Sequence, residues 1–102
     1  MLELRPNCEL CDCDLPAASP NARICTYECT FCAPCADKIL HNVCPNCGGN
    51  LVPRPIRPGA SWRPGTGLGV HPAGTKRRTN TYDDAARAEL TARLRDVAPD
   101  RR

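Results

Sequence analysis

Eight cysteines fall into four close pairs within the first half of the chain: Cys8/Cys11, Cys25/Cys29, Cys32/Cys35 and Cys44/Cys47. Two thiolates separated by two or three residues can converge on one divalent ion, and four such pairs supply the ligands of two closed tetrahedral sites. The cysteine-bearing segment is about fifty residues long. A domain of that size buries too little apolar surface to offset its chain entropy, so it needs disulfides or metal as a staple.

The amino terminus, Met1-Leu-Glu-Leu-Arg-Pro, has no basic region, apolar core or small-residue cleavage site of a secretion signal. No apolar run approaches the roughly 18 to 20 residues of a membrane span. The sequence is therefore read as cytoplasmic, where thiols stay reduced and clustered CxxC pairs act as metal ligands rather than disulfides. Two structural Zn²⁺ are expected.

Charge is divided along the chain. Residues 1–50 hold three basic against six acidic side chains, and residues 51–102 hold eleven against five. Eight thiolates on two Zn²⁺ would make the first half more acidic still. Residues 1–52 are read as the metal domain, 53–80 as a Pro/Gly-rich basic linker or disordered tail, 81–98 as a short amphipathic helix and 99–102 as a basic end. In the helix, Thr81 is the expected N-cap, Asp83 and Asp84 fall in the first turn, Pro99 follows the end, and Ala86, Leu90, Leu94 and Val97 share one face.

Within the metal domain, Arg23–Tyr27 and Cys29–Phe31 carry the β-branched and aromatic residues of a small hairpin. Pro34 suits the first turn of a helix running from Ala36 to about His41. Gly48, directly after the last pair, is placed to take positive φ and turn backbone N–H groups toward sulfur.

Written as spacings, the pattern is Cys-x2-Cys-x13-Cys-x3-Cys-x2-Cys-x2-Cys-x8-Cys-x2-Cys. This resembles the RING finger, in the form that has Cys at the fourth ligand. Leu10, Ile24, Phe31 and Ile39 match its core positions, and Pro45 sits in the last pair. The resemblance implies a small zinc-stapled α+β fold with a cross-brace. Site one would be Cys8, Cys11, Cys32 and Cys35, and site two Cys25, Cys29, Cys44 and Cys47. Spacing alone leaves open a sequential arrangement, with Cys8/Cys11/Cys25/Cys29 on one metal and Cys32/Cys35/Cys44/Cys47 on the other. The opening MLELRPNC, the stretch ICTYECTFCAPCA and the segment VCPNCGGNLVPRPIRP also resemble a bacterial Cys-rich family, domain of unknown function 1272, over about residues 1–58. That family implies a metal chemistry and no activity. Cys13 stands outside the eight-ligand pattern and reads as a spare thiol, and His41 and His71 read as ordinary polar residues.

Closed four-cysteine sites leave no position for a bound water or substrate, so no enzyme is expected. The glycine-rich GTGLG at 65–69 lacks the strand before it and helix after it that a phosphate loop requires. The expected function is a non-catalytic module for protein–protein interaction, with Leu10 and Pro45 at the RING-like contact positions. A ubiquitin-ligase-like adaptor is less well matched, because Gly48 stands where many active ligases carry Arg or Lys. The alternative from another class is nucleic-acid binding through residues 54–78, where Arg54, Arg57, Arg63, Lys76, Arg77 and Arg78 surround Trp62.

Overall fold

The computed structural model describes residues 1–102. Ala22–Ile24 forms β1 and Thr30–Cys32 forms β2, joined as the expected antiparallel hairpin with Ala22 opposite Cys32 and Ile24 opposite Thr30. A third short strand, β3 (Val52–Pro53), pairs antiparallel with the other side of β1, giving the order β2-β1-β3. Pro53 is tolerated because β3 is an edge strand, where a missing N–H breaks no ladder. The expected boundary between residues 52 and 53 thus falls inside a strand.

Pro34 caps a helical turn at Cys35–Ile39, as its fixed φ favours, but the turn is of the wide π type, with the Leu40 N–H donating to the Cys35 carbonyl. His41 and Asn42 then both adopt positive φ and end it. Asn42 is suited to that region, and its side-chain oxygen accepts from the Leu51 N–H at 2.7 Å. The wider turn rotates the apolar pattern. Leu40 is fully buried, whereas Ile39, the expected core residue, is 57% exposed.

Phe31, Leu40 and Val43 are the largest fully buried apolar side chains, joined by Leu15, Ala22, Ala36 and Leu51. Six of the 15 buried apolar residues are cysteines. The core is therefore built around sulfur as much as hydrocarbon, as expected of a domain too small to hold itself by burial alone.

The carboxy-terminal helix, α1, spans Asp84–Leu94, shorter than the expected 81–98. Asp83, not Thr81, is its N-cap, its carboxylate accepting the Ala86 N–H at 2.8 Å. The apolar stripe does face the body. Ala86, Leu90, Leu94 and Val97 are half-buried, Thr91 is buried beside the Leu40 carbonyl, and a Cβ added at Gly48 would lie 2.9 Å from Leu94 Cδ1. Arg102 fastens the end by donating to the carbonyls of Asn42 and Gly48 at 2.9 and 3.1 Å.

The segment between β3 and α1 holds almost no regular structure, yet it is not a free tail. It runs back along the metal domain and is tied to it at both ends. Arg54, 4% exposed, donates to the carbonyls of Arg5, Leu15 and Pro16. Arg57 donates to the Leu2 carbonyl, and the Gly74 N–H to that of Leu4. Arg78 pairs with Glu3, its N–H donates to buried Asn7, and the Asn80 N–H reaches the Glu9 carbonyl. The reading of a linker or disordered tail weighs only local composition, and these partners lie elsewhere in the chain. Arginines that lack partners in their own segment find carboxylates and carbonyls in the acidic half.

Candidate metal centres

Two groups of thiols converge. The sulfurs of Cys8, Cys11, Cys13 and Cys32 all lie within 4.8 Å of one another, and so do those of Cys25, Cys44 and Cys47. All nine cysteines are free thiols. Hairpin and loops explain the assembly. Cys25 and Cys29 flank the β1–β2 turn, Cys32 closes β2, Cys35 opens the π turn, and Cys44 and Cys47 sit in a loop closed by the Gly48 N–H to the Cys44 carbonyl at 2.8 Å.

Of the expected ligands, six fall inside the two groups and two lie at their edges. Cys35 is buried against Cys32, Cys11 and Cys8, and Cys29 against Cys25 and Cys44. Cys13, expected to be spare, lies inside the first group. Spacing missed it because Cys11-x-Cys13 is too short for a usual knuckle. The fold accommodates it by placing Asp12 at φ 65° and closing the loop with the Cys8 N–H on the Cys13 carbonyl at 2.9 Å. Neither His41 nor His71 belongs to a group.

The geometry fits a tetrahedral thiolate site. With metal–sulfur bonds of 2.3 Å, ligand sulfurs stand about 3.8 Å apart, and Cys11 Sγ is 3.7 Å from Cys32 Sγ. Backbone N–H groups already point at the sulfurs: Cys11 at Cys8 Sγ (3.5 Å) and Gly49 at Cys47 Sγ (3.4 Å). Gly48 does take positive φ, 79°, but it is the next residue that supplies the donor. Such bonds stabilise the charge of a metal-bound thiolate.

The titration pattern agrees. The Cys13 N–H donates to Cys11 and brings its thiol down to about 7, while burial and the neighbouring Cys11 and Cys32 sulfurs raise Cys13 to about 12. In the second group, contacts from Cys29 and Cys44 lower Cys25 to about 3, and Cys44 is driven up by Cys25 and Cys29. Burial likewise raises Cys8 and Cys35. Sulfurs this crowded cannot all ionise without a cation among them.

Arginines surround the first group. Arg77 bridges Asp12 and Asp14 on either side of Cys13, at 3.0 and 2.6 Å. Arg5 pairs with Glu3 and with buried Glu9, which also accepts the Thr30 N–H at the base of β2. Arginines from both halves thus neutralise the carboxylates that flank the first group.

These features define a small α+β protein with two cysteine clusters able to hold metal ions. The family described as "Protein of unknown function (DUF1272)" matches residues 1–57. A protein of Rhizobium meliloti (strain 1021), named "Uncharacterized protein R02474", is similar, with 57% identity over 77 residues covering 76% of this chain and 84% of the relative. The chain belongs to the DUF1272 family. No solved structure matches it. No helix is long and apolar enough to cross a membrane.

Proposed function

We propose that this chain is a non-catalytic, RING-like zinc module that works by binding a protein partner. The observation that supports it most is the alternation of the thiols. Cys8 and Cys11 of the first pair meet Cys32 of the third, and Cys25 of the second meets Cys44 and Cys47 of the fourth. That interleaving supports a cross-brace over sequential pairing. All-cysteine donor sets favour zinc and leave no open coordination position, so the metals hold the fold and do no chemistry. Native mass spectrometry with elemental analysis tests the metal reading. Two zincs per chain are expected, falling to one in Cys32→Ser or Cys44→Ser; a metal-free chain under reducing conditions refutes it.

The interaction surface is read at Leu10, half-buried against the core; Pro45, the other position matched in the family pattern, is buried facing α1. Chemical cross-linking of the metal-loaded chain in its native cells should give adducts that Leu10→Asp loses while keeping both metals. Identical adducts from both would place the interface elsewhere. The ubiquitin-ligase-like version would require autoubiquitylation dependent on zinc with a panel of conjugating enzymes.

Nucleic-acid binding through residues 54–78 is the second reading, favoured by Trp62 standing 78% exposed next to Arg63. Arg54, Arg57, Arg77 and Arg78 are committed to internal contacts, which leaves Arg63 and Lys76 for phosphates. Affinity for a single-stranded oligonucleotide should fall with salt by the small slope of about two contacts. Salt-independent or absent binding removes it.

A further inference from the structure

We propose that Cys13 is a fifth, exchangeable thiolate of the first metal centre, able to replace Cys35 as the fourth ligand and to serve as the route by which that metal enters and leaves. The inference rests on reading the first thiol group as a metal site.

A tetrahedral ion takes four ligands, and five sulfurs gather here. Cys8, Cys11 and Cys32 are common to both candidate sets. The fourth place is contested by Cys13, which lies within 4.8 Å of all three, and by Cys35, which is buried against them. The competitors differ in access. Cys35 is 4% exposed at the base of the π turn, whereas Cys13 lies in an exposed loop. Exchange requires one metal–sulfur bond to form as another breaks, and the proton released by the incoming thiol is taken up by the outgoing one. The site's charge is unchanged throughout.

Cys13 is also held in position. Its carbonyl accepts the Cys8 N–H, Asp12 at φ 65° carries the chain over the knuckle, and Arg77 binds the carboxylates on both sides. Asn7, fully buried, donates to Asp12 as well, at 2.9 Å. Such holding keeps the fifth sulfur beside the metal instead of in solvent. With the exposed sulfur bound, an external thiol acceptor reaches the metal from solvent; with the buried one bound, the metal is retained.

Native mass spectrometry of full-length, zinc-loaded Cys13→Ser, Cys35→Ser and the double variant tests this. Each single variant should keep two zincs and the double variant one. In Cys35→Ser, Cys13 should become protected from iodoacetamide relative to the parent. Transfer of the first zinc to a chromogenic chelator should slow about tenfold in Cys13→Ser, a variant that alters only an exposed residue. Loss of one zinc from Cys35→Ser, with Cys13 alkylated as fast as in the parent, overturns the proposal, as does an unchanged transfer rate in Cys13→Ser. A parent chain without zinc instead overturns the underlying metal reading.

Discussion

Replacing Arg54 should unfasten the two halves of the molecule. Its guanidinium donates to three carbonyls, at 2.8 Å (Arg5), 3.3 Å (Leu15) and 3.1 Å (Pro16), from a position 4% exposed. Hydrogen bonds from a charged donor contribute about 1.5–3 kcal/mol each. Two offsets reduce the sum. The Pro16 carbonyl keeps the Ser19 N–H as a second donor, and removing Arg54 also removes a buried charge, whose desolvation already lowers its pKa. A net loss of about 3 kcal/mol in Arg54→Ala follows, or roughly 12–24 °C in Tm for a domain of this size. Melts followed by circular dichroism in a constant excess of zinc hold the metal's own contribution fixed. Arg54→Lys, reaching one carbonyl, should fall between, and Arg63→Ala, on an exposed residue, should change nothing. A Tm for Arg54→Ala within about 2 °C of the parent would refute the argument that this arginine is structural.

Truncation after residue 52 keeps all nine cysteines yet should yield a less stable product than a detachable tail would imply, read from its urea midpoint. Gly48→Ala puts a side chain at φ 79° and 2.9 Å from Leu94 Cδ1, so about 1–2 kcal/mol should be lost, with faster proteolysis within α1. Glu9→Gln keeps an acceptor for the Thr30 N–H but deprives Arg5 of its buried partner; a loss of about 2 kcal/mol, below the 3–5 of a stripped buried pair, should appear in urea unfolding. For Glu3, burial works to raise the pKa but is outweighed by hydrogen bonds from Arg78 and Arg5, which lower it. Its stabilisation is therefore present above the usual carboxylate range and lost as pH falls through the lowered value. Glu3→Gln should flatten the stability profile between about pH 3 and 5.

Much of the architecture was legible because it is written locally. Cysteine spacing marked six of the thiols that converge, the β-branched and aromatic residues around Cys25 and Phe31 marked the hairpin, and Pro34 marked a helical turn. The stripe Ala86, Leu90, Leu94, Val97 pointed to the docking face of α1. What escaped was non-local or a matter of one residue's phase. Ile39 and Leu40 are adjacent and equally apolar, and only the pitch of the turn decides which is buried. Cys13 depends on a loop conformation at Asp12 that spacing does not reveal. The strap from residue 54 to 80 is invisible to any periodicity, since its order comes from arginines meeting carbonyls and carboxylates 38 to 75 residues distant.

The strap also sets an order of events in the making of the molecule. The last cysteine, Cys47, precedes Asn80 by about 33 residues. At roughly 5–20 residues per second of synthesis, all the thiols are available about 2 to 7 s before the final strap contact can close over the amino-terminal segment. A metal ion taken up by the first thiol group would therefore meet it before Arg77 closes on Asp12 and Asp14. Acquisition and loss of such an ion would then face different barriers, the second including the detachment of Arg77 from the loop that carries Cys13.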